Sequence, residues 1–446
     1  MPTTTYVGLD LGTTSTKACA FTPDGEMVAK SDRGYGLTST DDGAAVQSAP
    51  DILAAAEAAL TELLAQLDAP PAAIGLSCAM HGVLLLDEDF GPLAPVMTYA
   101  DVRGQAVMAD FPEELRHDLL EHTGTPVHPM SPLVKLRWLR TTGDENFARA
   151  AYLGDLKSYL VHQWTRDGFL LDQQLASATG LWSARAGQWH APALELALGQ
   201  SDAGRLPEIV DPRTVLEWRP VVAERLGAAG VPLVIGGSDG CLANLGSGLL
   251  ERDQVAVTVG TSAAVRLTHR GALDPEEELH TLFDYVLYDD YRVLGGATNN
   301  GGKVLEWANG LFGGHFASIG DMVSAALAAP DNDIVFEPFL YGERAPVWDA
   351  TATASFRGLR GRHGPEDLAR AIVLGLTDNI CRILGQLEAA AGPASTLYVS
   401  GGITQSPDWI EFLEQRTGRP TEIVGTVEAS AYGAALVAQQ SGEFRL

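Results

Sequence analysis

Lysine is scarce in this sequence: five residues, at positions 17, 30, 135, 157 and 303, among thirty basic ones. Positive charge is short in general, with 57 acidic residues and a net charge of −27. Phosphate backbones require a basic face, so nucleic acid is excluded as an expected partner. The same deficit works against an anionic membrane surface, and favours solubility without bearing on fold. Cysteine is equally sparse. Cys19, Cys78, Cys241 and Cys381 show no CxxC spacing, which excludes a disulfide framework or a zinc site. Their apolar neighbours predict buried free thiols. No run of about 18 apolar residues occurs, and no basic segment followed by an apolar one opens the chain. A cytoplasmic protein with no membrane partner is therefore expected.

What is present is a globular composition, 46% hydrophobic and 20% charged, in 446 residues. That is too long for one ordinary core, and two domains are the default. "TYVGLDLG" (5–12) reads as a buried strand entering a glycine turn, and "TKACAFTPDGEMVAKSD" as strand, turn, strand. Residues 51–67 place Leu53, Ala56, Leu60, Leu64 and Leu67 at helical spacing. A long helix is expected at about 365–390, and the last 50 residues read as strand, Gly-Gly turn, helix, strand, helix. The pattern is mixed α/β, opening on a β-meander. An internal echo runs through it. "LGTTSTKA" (11–18) resembles "VGTSAAVR" (259–266) at an offset of 248 residues, with Gly12 on Gly260 and Thr13 on Thr261. Asp10 falls on Thr258, so only the first hairpin carries an acid. The echo predicts a duplicated architecture, with residues 1–248 and 249–446 as the two domains.

Asp239, in "VIGGSDGCLANLGSG", is the only charged residue between Arg225 and Glu251. A carboxylate in such apolar company is costly unless compensated. Phosphoryl transfer to an alcohol needs a carboxylate at the acceptor hydroxyl, and a glycine-flanked aspartate at a strand end suits it. A helix N-cap suits the same position equally well. "DLGTTSTK" lacks P-loop spacing, yet a Gly-Thr-Thr turn between strands offers N–H groups and two hydroxyls to a phosphate. Asp10 just before it offers an oxygen to Mg²⁺; an ordinary hairpin with a capping aspartate fits too. Alone, "SGG" (400–402) and "NNGG" (299–302) are weak signals of backbone approaching a ligand. His81 in "CAMHG", Asp101 and Arg103 in "ADVRG", and Lys157 in "DLKSY" read equally as structural, ion-paired and solvated residues.

Together these stretches resemble the FGGY carbohydrate kinases. "GLDLGTTSTKACAF" is similar to the family's first phosphate motif, "VTVGTSAAVR" to the second, and "LYVSGGITQSPDWIEFLEQRTGRP" to the adenosine motif. "EPFLYGERAPVWDATATASFRGL" and "EDLARAIVLGLTDNI" resemble the C-terminal signature. Within the family, "SCAMHGVLLLD", "TGTPVHPMSPLVKLRWLR", "LASATGLW", "GGSDGCLANLGSG" and "GGATNNGGKVLEWA" resemble gluconate kinases more than xylulose or glycerol kinases.

The resemblance implies two ribonuclease-H-like α/β domains of the actin/hexokinase superfamily flanking a catalytic cleft. It implies ATP and Mg²⁺ as cofactors and a small-molecule sugar acid or polyol as substrate, with D-gluconate giving 6-phosphogluconate the leading choice. Dimers are common in the family. By position, Asp239 matches the general base and Asp10 the acid that places Mg²⁺. Gly12, Thr13, Thr14, Lys17, Gly260, Thr261 and Ser262 fall in the two phosphate motifs, Gly301 and Gly302 in a further cofactor-binding stretch, and Gly401 and Gly402 in the adenosine turn. Met80, His81, Asp101, Arg103 and Lys157 fall in the sugar pocket. A gluconate carboxylate calls for a cation, and Arg103, Lys135, Lys157 and Arg344 are the candidates. The sequence departs from the family at Ala263, where glycine is usual, and at Tyr99, where tryptophan is common. It is also somewhat short. The rivals are a xylulose or other polyol kinase and, from a different class, a non-catalytic actin-like ATP-binding sugar sensor.

Overall fold

The computed structural model describes residues 4–199, 203–271, 273, 281–425 and 428–441. The chain divides into two compact units. Unit 1 takes in Met1–Gly248, Tyr285–Arg292 and Thr426–Leu446, and unit 2 takes in Leu249–Asp284 and Val293–Gly425.

Unit 1 is built on strands β1 (Tyr6–Leu11), β2 (Ser15–Phe21), β3 (Met27–Gly34), β4 (Ala73–Cys78), β5 (Val215–Leu216) and β6 (Leu233–Ser238), in the order β5-β6-β4-β1-β2-β3. β1 and β2 pair antiparallel, as do β2 and β3. β1, β4 and β6 run parallel. Their side chains are almost all buried, as expected of parallel strands covered on both faces. Helix α1 (Ala49–Gln66) starts where the Ser48 hydroxyl accepts from Asp51 N, with proline in its first turn. Its buried face is Ile52, Ala56, Ala59, Leu60 and Leu63. Leu53 and Leu64 flank that face, and Leu67, expected inside the helix, is its extended C-cap. Helices α2 (Pro132–Thr142), α3 (Leu156–Trp164) and α4 (Asp239–Gly246) complete the parts of unit 1 that concern the site.

Unit 2 repeats the plan. Its strands are β7 (Gln254–Val259), β8 (Ala263–Arg270), β9 (Phe283–Tyr288), β10 (Tyr291–Thr298), β11 (Thr396–Gly401) and β12 (Thr421–Ile423), ordered β9-β10-β8-β7-β11-β12. β7 and β8 form an antiparallel hairpin, and β7, β11 and β12 run parallel. Helices α5 (Gly302–Leu311), α6 (Pro365–Ala391) and α7 (Pro407–Thr417) belong here. The 248-residue offset lands β1 on β7 and β2 on β8: Leu11 and Val259 both end strands, Ser15 and Ala263 both begin them. Asp10 pairs in register with Ser77 and Thr258 with Ser400, and both pairs are also joined by side-chain hydrogen bonds.

A second domain of residues 249–446 was the sequence expectation, and the compact units differ from it. The tip Tyr285–Arg292 and the C-terminal helix Ala429–Gln440 group with unit 1. The reason for the helix lies in its small residues. A Cβ on Gly8 of β1 would overlap the Ala431 carbonyl, one on Gly75 of β4 that of Ala434, and one on Gly246 of α4 that of Ala429. The helix backbone thus lies directly on β1, β4 and α4, closer than any side chain permits.

Cys19, Cys78 and Cys241 are buried free thiols, and Cys381 is half-buried. Among the described residues no helix is long and apolar enough to cross a membrane.

Candidate active site

In unit 1 three candidate segments leave the carboxyl ends of adjacent parallel strands, the edge at which open α/β sheets bind ligands. Gly12–Thr14 follows β1, Met80 and His81 follow β4, and Asp239 follows β6. The register makes them level, with Cys78 opposite both Leu11 and Ser238.

Asp239 is the first residue of α4, not its cap. Ser238 is the N-cap, its hydroxyl accepting from Cys241 N. The capping role left open by the sequence therefore falls to the serine. Asp239 is half-buried. Its Oδ1 accepts from Gly240 N at 2.7 Å, and its carbonyl accepts from the Ser430 hydroxyl at 3.1 Å. The strand beneath is held by buried polar groups. Lys157 Nζ donates to Gly237 O at 2.9 Å and to Asp172 Oδ2 at 2.7 Å. Gln174 Oε1 accepts from Ser238 N at 2.9 Å. A Cβ on Gly240 would meet the Met80 side chain, so Met80 lies against the base of α4.

Asp10 is 8% exposed. Its Oδ1 accepts from Ser77 Oγ at 2.6 Å. Burial pushes its carboxyl above the usual aspartate range, against the pull of the Ser77 hydroxyl and Lys17. A buried carboxylate so short of positive charge, with a second oxygen near the Gly12 turn, fits a divalent cation. In that turn, Gly12 N donates to Ser15 O, and Thr13 O accepts from Gln47 Nε2. Lys17 pairs with Glu428 at 2.7 Å, and Lys30 reaches the same carboxylate at 2.7 Å. Burial opposes the ionisation of Glu428, but hydrogen bonds from Lys17 and Lys30 hold it below the usual range.

His81 is buried with φ of 66°, in the left-handed region that side chains rarely occupy. Its Nδ1 lies 2.9 Å from Ala178 O. Lys135 secures this backbone, donating to His81 O at 2.7 Å and Thr98 O at 2.5 Å. Burial pushes the Lys135 ammonium down to about 7, with Asp101 pulling upward and Arg103 downward. Arg103 folds back on fully buried Asp101, with Nη2 2.6 Å from Oδ2. Its guanidinium also lies 4.8 Å from the Trp138 ring centroid.

Two expectations for the sugar-acid cation are corrected. Lys157 and Lys135 are both completely buried, and each ammonium is turned to internal acceptors. They organise the β6 and β4 ends from below and present no charge to a ligand. Arg103 keeps partial exposure, at 24% of its side chain. Arg344 is 8% exposed and donates to Thr298 O.

In unit 2 three loops meet at the carboxyl ends of β7, β10 and β11. Gly260 N donates to Ser262 O at 2.9 Å, closing the Gly260–Ser262 turn. Gly302 N donates to Gly260 O at 2.6 Å, and a Cβ on Gly301 would overlap the Ser262 backbone. Gly401 has φ of 82°, and a Cβ there would meet Val259 O. The turns 260–262, 300–302 and 401–402 therefore pack backbone to backbone, which only glycine allows. Ala263 needs no such freedom. It begins β8 opposite Val259 without a positive φ, so its departure from glycine carries no strain.

Sequence reasoning missed several of these supports. Glu428 sits 411 residues from Lys17, and Asp172 caps the short helix Gln173–Ser177 that carries Gln174, where no motif marks either residue. Glu343, wholly buried, accepts from Thr298, Asn299, Asn300, Arg344 and Asn379. The signal available for it was the quoted "YGERAP" stretch itself.

Paired α/β units of this plan, with loops gathered at parallel strand ends, define a two-domain carbohydrate kinase fold of the actin/hexokinase type. The family descriptions agree: "FGGY family of carbohydrate kinases, N-terminal domain" matches residues 5–246, and its C-terminal counterpart matches 255–441. The chain belongs to the FGGY family of carbohydrate kinases. A gluconokinase of Bacillus subtilis (strain 168) is 32% identical, covering 98% of this chain and 87% of that protein. Among solved structures, the ligand-bound xylulose kinase from Lactobacillus acidophilus is similar with a TM-score of 0.91 and 29% identity, covering 98% of this chain and 89% of that one. The gluconate kinase from the same organism has a TM-score of 0.90 and 28% identity, covering 98% and 88%.

Proposed function

We propose that this carbohydrate kinase transfers the γ-phosphoryl group of MgATP to the terminal hydroxyl of D-gluconate, giving 6-phosphogluconate. The observation that carries the chemistry is Asp239 at the level of the β1 and β4 loops, with its capping duty taken over by Ser238. In the reaction the acceptor oxygen bonds to the γ-phosphorus and the bond to the β,γ-bridging oxygen breaks. Asp239 accepts the hydroxyl proton. Thr13, Thr14, Thr261 and Ser262 hold phosphate oxygens, and Gly401 and Gly402 give the adenosine a flat approach. Asp10 is the residue that would hold Mg²⁺, which when bound neutralises phosphate charge. Met80, His81 and Arg103 belong to the acceptor side, and Arg103 is the cation best exposed to meet a carboxylate.

The gluconate assignment is supported by the gluconokinase relative and by the "HPMSP" stretch. Xylulose is the second reading, because a xylulose kinase structure is as similar as a gluconate kinase one. A coupled ADP assay over gluconate, xylulose, ribulose and glycerol separates them. Gluconate-dependent turnover is expected; strong turnover on a ketopentose alone would overturn the assignment. ATP binding with no turnover on any of these sugars would favour the sensor reading. Asp239→Asn should lower kcat by about 10²–10⁴-fold with MgATP affinity retained; near-normal kcat would sink the base assignment.

A further inference from the structure

The five lysines of this acidic chain are not equally matched. Lys17 and Lys30 pair with Glu428, Lys157 pairs with Asp172, and Lys135 donates to two carbonyls. Lys303 differs. Among the described residues its ammonium has no hydrogen bond and no ion pair, only the face of the Tyr341 ring, 3.8 Å from the centroid. The nearby carboxylate does not serve as its partner. Glu343 turns its oxygens to Thr298 Oγ1 (2.7 Å), Asn299 N (3.0 Å), Asn300 Nδ2 (3.2 Å), Arg344 N (2.7 Å) and Asn379 Nδ2 (3.0 Å).

The position of Lys303 is as defined as its lack of a partner. It follows Gly301-Gly302, and its own N–H donates to Thr261 O at 3.3 Å. Its backbone is thus tied to the hairpin turn that presents Thr261 and Ser262. The Glu343 network fixes the Thr298–Asn300 segment that leads into it. The field of Arg344 also reaches the ammonium. A half-buried cation beside a second cation is costly without an anion. The ring face supplies part of the compensation.

We infer that Lys303 is a phosphate-binding residue of unit 2, contacting the terminal phosphates of the nucleoside triphosphate at the Gly260–Ser262 turn. The inference rests on the reading of that turn as a nucleotide half-site. An ammonium on a flexible stem suits a phosphate chain, whose charge is spread over many oxygens, as a point charge. Burial, joined by Arg344 and opposed by Glu343, brings the Lys303 ammonium down to about 8. The charge facing it from the packed elements is that of Arg344 and Glu343, with the Tyr341 ring beneath. Its attraction for phosphate is therefore full near pH 7 and declines as pH rises through 8.

Calorimetric titration of the full-length protein with ATP, ADP and AMP, in excess Mg²⁺, tests this on wild type, Lys303→Met and Lys303→Arg. Lys303→Gln replaces the first variant if its melting temperature is depressed. We expect the loss of the charge to weaken ATP binding about tenfold or more, to leave AMP within about twofold, and to be largely rescued by arginine. KM for ATP should rise while KM for the sugar substrate holds, and the wild-type weakening of ATP between pH 7 and 9 should be absent in the methionine variant. Unchanged ATP affinity overturns the inference, as does an equal loss for ATP and AMP, or a sugar KM that rises alone. A wild type that shows no saturable ATP binding overturns the half-site reading itself, which separates the two failures.

Discussion

Lys135 shows how one residue shapes a strand end from inside the fold. Its ammonium clamps His81 O and Thr98 O, and so holds His81 in a left-handed backbone that it would not choose alone. The cost is a proton held weakly, at about 7 against about 10.4 for lysine in an unfolded chain. Between those values the unfolded chain binds more protons than the folded one. Stability contributed by this group must therefore rise with pH across that window. Lys135→Met removes the difference. Urea unfolding at pH 7 and pH 9 should show wild type gaining on the variant as pH increases; a constant gap would refute the role. Lys157 makes the complementary case at Gly237 O, where its ion pair with Asp172 is wholly internal.

At the scale of elements, the closest fit is that of the C-terminal helix on β1, β4 and α4. It depends on glycine at positions where side chains would enter backbone. Gly75→Ala should lower stability by about 3 kcal/mol, because its Cβ meets the Ala434 carbonyl and neither main chain can retreat. Gly385→Ala in α6 is the control, having nothing within 4 Å of the added methyl, and should stabilise by about 0.5–1 kcal/mol. Urea midpoints of the two variants should move in opposite directions. The same helix bears on chemistry as well as stability. Ser430 holds the Asp239 carbonyl and Glu428, its cap, holds Lys17, so the element farthest along the chain steadies both the proposed base and the strand that follows the Gly12 turn.

For the whole molecule, the consequence is that the end of the chain belongs to the beginning. A chain ending at Gly425 keeps every residue of unit 2 but removes a helix that covers the central strands of unit 1. We expect such a truncation to lose the cooperative unfolding of unit 1, by calorimetry, and all kinase activity. Retention of two unfolding transitions would contradict that packing. The charge of −27 is a property of the same scale; of the five lysines, Lys17, Lys30 and Lys157 pair with carboxylates, Lys135 donates to two carbonyls, and Lys303 faces the Tyr341 ring.

Sequence alone determined much of this architecture, because its signals are local. The meander 5–34, the α6 and α7 helices and the two echoing hairpins are written in apolar periodicity and glycine turns, and the 248-residue offset registers strand on strand. The isolation of Asp239 and the order of the motifs marked the strand ends that the sheets then level. Tertiary structure alone decided what each polar residue does there. Lys135, Lys157 and Lys303 look alike in sequence, yet two are sealed under the loops and one stands beside the Gly260–Ser262 turn. Whether a lysine pairs with Asp172, two carbonyls or nothing depends on residues 15 to 54 positions away. The assignment of the last helix to unit 1 was hidden for the same reason. It rests on backbone contact of Ala431 with Gly8 and of Ala434 with Gly75, 423 and 359 residues earlier, and such long-range packing leaves no local trace.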